Sequence, residues 1–159
     1  MAKDTIQKEW NFNFDFNVTT GEHYGRFFNG LKDKKFLGNK IGGNSYFPPK
    51  PFCSRTLKFE AELLESDGIG TIEAFTIYYD EINMVNFPQN DRIPKIPFVL
   101  GVIKIGNSDH CLLHFLSDFG VSDIKELPNK IKVGMKVKPV WAEVRTGGIL
   151  DIKYFQPAL

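Results

Sequence analysis

Polar and aromatic residues alternate in "WNFNFDFNV" (residues 10–18), which puts Trp10, Phe12, Phe14, Phe16 and Val18 on one side. A period of two predicts a β-strand, or an extended arm that lays its aromatic side into a groove. Then the period lengthens. Tyr24, Phe27, Phe28 and Leu31 fall at i, i+3, i+4 and i+7, one stripe of an amphipathic helix. Thr19 followed by Glu22 has the form of a capping box, Gly30 weakens the helix near its end, and Gly38 closes the segment.

From Thr56 onward the period shortens again. "TLKFEAELLE" alternates Leu57, Phe59, Ala61 and Leu63, the pattern of a half-buried strand. "GIGTIEAFTIYYDEI", "PFVLGVIKI", "CLLHFL", "KVKPVWAEV" and "ILDIKYF" continue the run, and Pro139 inside one of them implies an edge or a bulge. A short helix ending at Pro128 separates the third and fourth main strands. The pattern predicts a mainly β chain: an N-terminal helix, then a five- to six-stranded OB-fold barrel. The chain divides into an arm and helix (1–37), a linking segment (38–57) and the barrel (58–159).

The linking segment has the outline of a zinc ribbon. Two Cys-x-x-Cys knuckles would fall at 39/42 and 53/56, but the residues there are Asn39, Gly42, Cys53 and Thr56. Tetrahedral zinc in a ribbon takes four ligands from two tight turns. One vestigial thiol, Cys53, is left, so no zinc is expected. Gly42-Gly43 reads as a turn and Pro48-Pro49 as an extended stop.

Charge changes the picture only locally. With 20 Lys+Arg against 19 Asp+Glu the net charge is +1, which gives no global attraction to nucleic acid. Residues 26–58 nevertheless hold eight basic side chains against Asp33 alone. Such a run is most often a solvated face, and its sharper reading is a phosphate or acidic-partner site. No apolar run approaches the ~18 residues that span a bilayer, the N-terminus lacks a signal-peptide core, and two cysteines make no disulfide framework. The expectation is a cytoplasmic protein.

Catalytic constellations are absent from the sequence. In "DHCLLHFL", strand alternation puts Cys111, Leu113 and Phe115 on one face and His110, Leu112 and His114 on the other, so Cys111 diverges from both histidines. His23 on the helix reads as a surface or packing residue. No G-x-S-x-G, P-loop, G-x-G-x-x-G after a strand or H-E-x-x-H occurs.

Taken in order, "GEHYGRFFNGLKDKKFLG", "GGNSYFPPKPFC", "GIGTIEAFT", "IPFVLGVI", "LLHFL", "IKVGMKVKPVW" and "YFQP" resemble the DUF35 family from about Trp10 to Pro157. The resemblance implies a rubredoxin-like ribbon followed by an OB-fold. It also implies a non-catalytic accessory subunit of a thiolase-superfamily complex, of acyl-CoA thiolase or aldolase type, with the catalytic residues on the larger partner. Gly43, Pro48, Pro49 and Cys53 match the family pattern, while Asn39, Gly42 and Thr56 depart from it. On this reading Lys40, Lys50 and Arg55 are the candidates for the phosphates of a coenzyme A ester. Trp10, Phe12, Phe14, Phe16, Tyr24, Phe27, Phe28 and Leu31 are the candidates for the partner interface. A hetero-oligomer with two copies of each chain is expected. The alternative is an OB-fold module for single-stranded nucleic acid, which is disfavoured because residues 59–159 carry ten basic and fourteen acidic side chains.

Overall fold

The computed structural model describes residues 14, 17–59, 61–79, 94–95 and 97–158. Helix α1 spans Gly21–Lys32. Its stripe forms as the spacing predicts: Phe27 and Leu31 are fully buried, Phe28 is partly buried and Tyr24 sits at the exposed fringe. The helix begins later than the capping-box motif implies. Thr20 is the N-cap and makes no side-chain cap bond, while Glu22 pairs with Arg26 at 3.2 Å. It also stops sooner, at Lys32, so Gly38 lies in the following strand. The last carbonyls of a helix lack intrahelical partners, and the Lys32 carbonyl accepts a 2.7 Å hydrogen bond from Arg145 Nε, 113 positions away.

Strands β1 (Phe36–Ile41), β2 (Asn44–Tyr46) and β3 (Ala61–Ser66) form an antiparallel sheet in the order β2-β1-β3. β3 pairs along its length with β1, from Phe36 opposite Ser66 to Ile41 opposite Ala61. The side expected to be buried is the exposed one: Leu57 and Phe59 are 71% and 72% exposed, and Leu63 is 64% exposed. Leu64, of opposite parity, packs on the core instead.

Strands β4 (Gly70–Tyr78), β5 (Phe98–Ile105), β6 (Leu112–Leu116), β7 (Lys136–Trp141) and β8 (Ile152–Pro157) close a barrel in the order β4-β5-β6-β8-β7. The β6–β8 contact is parallel, and the short helix α2 (Leu127–Lys130) lies between the third and fourth barrel strands, as expected of an OB-fold, but Pro128 stands in its first turn and does not end it. Pro139 follows the two β7 residues that pair with β4, and the register with β8 slips between Val140 and Trp141. Proline, with no N–H to give, sits where the ladder is ending.

Helix, ribbon and barrel share one core. Phe36 of β1 is fully buried, with ring centroids 5.5 Å from Trp141, 6.2 Å from Phe155 and 6.3 Å from Phe27. Gly68, at φ +78, leaves the room: a side chain there would run into the Phe36 ring. The turn after β5 stitches the ribbon down further. Ser108 Oγ accepts from the backbone N–H of Phe47 and of His110, each at 3.0 Å, and Asp109 N donates to Ser45 O at 2.7 Å.

Candidate functional site

Three of the four ribbon-ligand positions converge without forming a metal cradle. The Thr56 hydroxyl is hydrogen-bonded to the Cys53 sulfur. It also fills the space where a side chain at position 42 would project, since a Cβ on Gly42 would lie 2.6 Å from Thr56 Oγ1. The fourth, Asn39, is buried and turned to other work. Its Nδ2 donates to the Lys50 carbonyl at 2.6 Å and its Oδ1 accepts from Lys50 N at 3.1 Å. One thiol, one hydroxyl, one amide and one missing side chain do not suit zinc, which asks for four sulfur, nitrogen or carboxylate donors. Among the described residues no group of three or more His, Cys, Asp or Glu could hold a metal ion.

The Cys53 sulfur has become a hydrogen-bond hub. Besides Thr56, the Tyr46 hydroxyl lies 3.2 Å away and Asn44 Nδ2 lies 3.6 Å away. The Thr56 and Tyr46 hydrogen bonds hold the thiol down to about 6, and the same bond to Cys53 raises the Tyr46 phenol. Cys53 is buried with Ile41 and Tyr46, but burial's opposing push is weaker than the two hydrogen bonds. A depressed thiol pKa adds stability that is complete above about 9 and is lost as pH falls through about 6. In Cys111→Ser protein, thiolate absorbance at 240 nm is expected to titrate with a midpoint near 6. Thr56→Val should move that midpoint upward; an unchanged midpoint would remove Thr56 from this account.

Two of the three expected phosphate-binding cations come together. Lys50 Nζ stands 5.2 Å over the Tyr46 ring, whose edge meets His110 at 5.1 Å, and Arg55 reaches Asp109 Oδ1 at 3.8 Å. Burial and then Lys50 lower the His110 pKa. Lys40 is not part of this corner. It is paired with Ser45, while Asn39 is paired with Tyr46, so alternation puts Lys40 on the opposite face from the Tyr46 ring.

His114 turns inward and is buried. Its Nδ1 accepts from Phe115 N at 2.9 Å and its Nε2 donates to the Ile149 carbonyl at 3.1 Å, a neutral tautomer that burial keeps uncharged. Cys111 is exposed. Neither residue is set against a base or nucleophile among the described side chains.

The expected interface residues separate. Trp10, Phe12 and Phe16 lie outside the described residues, and Phe14 is 73% exposed. Phe27 and Leu31 correct the expectation: the chain's own core consumes them, so they are not available to a partner. Exposed apolar side chains occur on the ribbon instead: Phe52, Leu57, Phe59 and Leu63 all meet water, and the Phe52 and Phe59 rings lie 5.8 Å apart. The alternation of "TLKFEAELLE" groups Leu57, Phe59 and Leu63 but says nothing of which side meets water. Also unforeseen is an open groove of about 1290 Å³ beside the β6–β8 junction, lined by Phe98, Phe115, Phe119, Trp141 and Tyr154. No described helix is long and apolar enough to cross a membrane.

No family model and no curated protein matches this sequence. Solved structures do. One described as "Ltp2-ChsH2(DUF35) aldolase" matches with a TM-score of 0.59 and 18% identity, over 90% of this chain and 100% of that one. A protein of unknown function from the DUF35 family of Sulfolobus solfataricus matches with a TM-score of 0.53 and 25% identity, over 76% and 77% of the two chains.

Proposed function

We infer from its DUF35-family fold, an OB barrel with a rubredoxin-like ribbon, that this chain is a non-catalytic accessory subunit of a thiolase-superfamily complex acting on an acyl-CoA. The observation that carries the reading is likeness along nine-tenths of the chain to a polypeptide from an aldolase assembly. Two features of the chain support it. No described side chains pair as nucleophile and base, and the ribbon leaves Phe52, Leu57, Phe59 and Leu63 in water. The Phe52–Phe59 ring pair is exposed apolar surface of the kind a partner covers. In the assembly that we infer, the ribbon meets the larger subunit. Lys50 and Arg55 face the phosphates of the coenzyme, and two copies of each chain give a closed, symmetric particle.

Tagged full-length chain, purified from cells that also express a thiolase-type subunit of the same organism, is expected to bring that subunit down in equal amount. The chain alone should leave acyl-CoA unchanged. Unaided turnover, or recovery of RNA in place of a thiolase-type subunit, would overturn the reading. Reversing both Lys50 and Arg55 to Glu should weaken coenzyme A-ester binding by the complex, and more at low salt than at high, because exposed charges are screened within about 10 Å at 0.1 M. Lys40→Glu, on the other face, is the control and should change it less. Equal effects from the two changes would remove the corner from the phosphate site.

A further inference from the structure

The barrel closes through a short parallel contact where β6 meets β8. A single pair, Leu116 with Phe155, joins the two strands, followed by one hydrogen bond from Ser117 N to Phe155 O at 2.9 Å. Asp118 then takes φ +61 and the chain turns away, leaving the groove open between this corner and the end of β7. At about 1290 Å³ it exceeds the few hundred to 1,000 Å³ of ordinary ligand pockets, so an extended molecule fits along it.

Three features of the lining select the occupant. The walls are chiefly aromatic and aliphatic, which favours an apolar body. The charged side chains are Asp118, Glu143 and Lys153, a net of minus one, and Lys153 Nζ is drawn to the Tyr154 ring at 5.7 Å. An anionic group is therefore repelled. The third feature is a solvent-exposed polar pair in the lining: Tyr154 Oη donates its proton to Asp118 Oδ2 at 2.6 Å. With that proton engaged, the phenol oxygen and the carboxylate can only accept. A complementary ligand must bring a donor.

We propose that this groove binds a neutral, mainly apolar molecule carrying a hydroxyl, with the hydroxyl donating to the Tyr154–Asp118 pair. The site is separate from the basic corner at Lys50 and Arg55, and the proposal does not depend on the accessory-subunit reading. If both hold, the groove takes the acyl portion of the substrate and not its phosphates.

The test uses the full chain carrying Trp10→Phe, with 1-decanol and decanoate as probes, followed by calorimetry and by fluorescence of the remaining Trp141. Saturable binding of decanol is expected, with decanoate bound several-fold more weakly at pH 8. Ser122→Phe, a change at an exposed position on the groove's rim, should weaken decanol at least tenfold. Asp118→Asn keeps an acceptor but removes the charge, and should narrow the difference between the two probes. The proposal fails if decanol does not saturate, if decanoate binds as well as decanol, or if Ser122→Phe leaves binding unchanged. Association with a thiolase-type subunit is measured separately, so either idea can fall without the other.

Discussion

Phe36→Ala is expected to lower the free energy of unfolding by about 3–5 kcal/mol, the usual range for emptying a buried phenylalanine site. Phe36 sits in the ribbon's first strand, yet its ring packs on Phe27 of the helix and on Trp141 and Phe155 of the barrel. Gly68 borders it so closely that the backbone cannot collapse freely into the gap, and unrelaxed cavities are the costly ones. Because this one ring joins all three parts, urea unfolding followed by far-UV and near-UV circular dichroism should show one transition for both proteins. A loss under 1 kcal/mol, or a ribbon that melts separately, would show that the parts do not share a core. For the same reason, deleting residues 1–37 should disrupt the barrel and not merely release an arm, since Phe27, Leu31 and Phe36 leave with it.

The second large effect concerns metal. If zinc closed the ribbon, its removal would cost on the order of 10 kcal/mol. The expected result is no effect: protein purified without chelators should hold far less than one zinc per chain, and EDTA should leave the urea midpoint where it was. Hydrogen bonds at the former ligand positions take over the closure, so those are the bonds whose loss should be felt. Asn39→Ala removes both partners of the Lys50 peptide groups at a buried site and should cost about 1–3 kcal/mol, the range for a polar group left without a partner. Stoichiometric zinc, or a chelator-induced fall in the midpoint, would contradict this account. An Asn39→Ala protein as stable as its parent would leave the closure to the Cys53 hub alone.

What the sequence determined by itself was local and periodic. The stripe at Tyr24, Phe27, Phe28 and Leu31 specifies a helix because only a 3.6-residue period brings those side chains together. The short alternating runs from Gly70 onward, with one helix between the third and fourth, specify an OB barrel because few topologies accommodate that order. The absence of three thiols at 39, 42 and 56 follows from the residues themselves.

Which faces meet water, and which groups meet each other, was decided only in three dimensions. Alternation marks Ala61–Ser66 as a strand, but a period of two has no sign. Pairing with β1 turned Leu63 outward and Leu64 inward. Phe27 and Leu31 look like a docking stripe until the ribbon and barrel close over them. Lys40, Lys50 and Arg55 are near in sequence, yet the pleat puts Lys40 on the other face from the Tyr46 ring that Lys50 covers. Tyr154 and Asp118 stand 36 positions apart, and the parallel closure of β6 on β8 brings them to 2.6 Å. Contacts of that kind depend on how strands are ordered in space, which no spacing along the chain encodes.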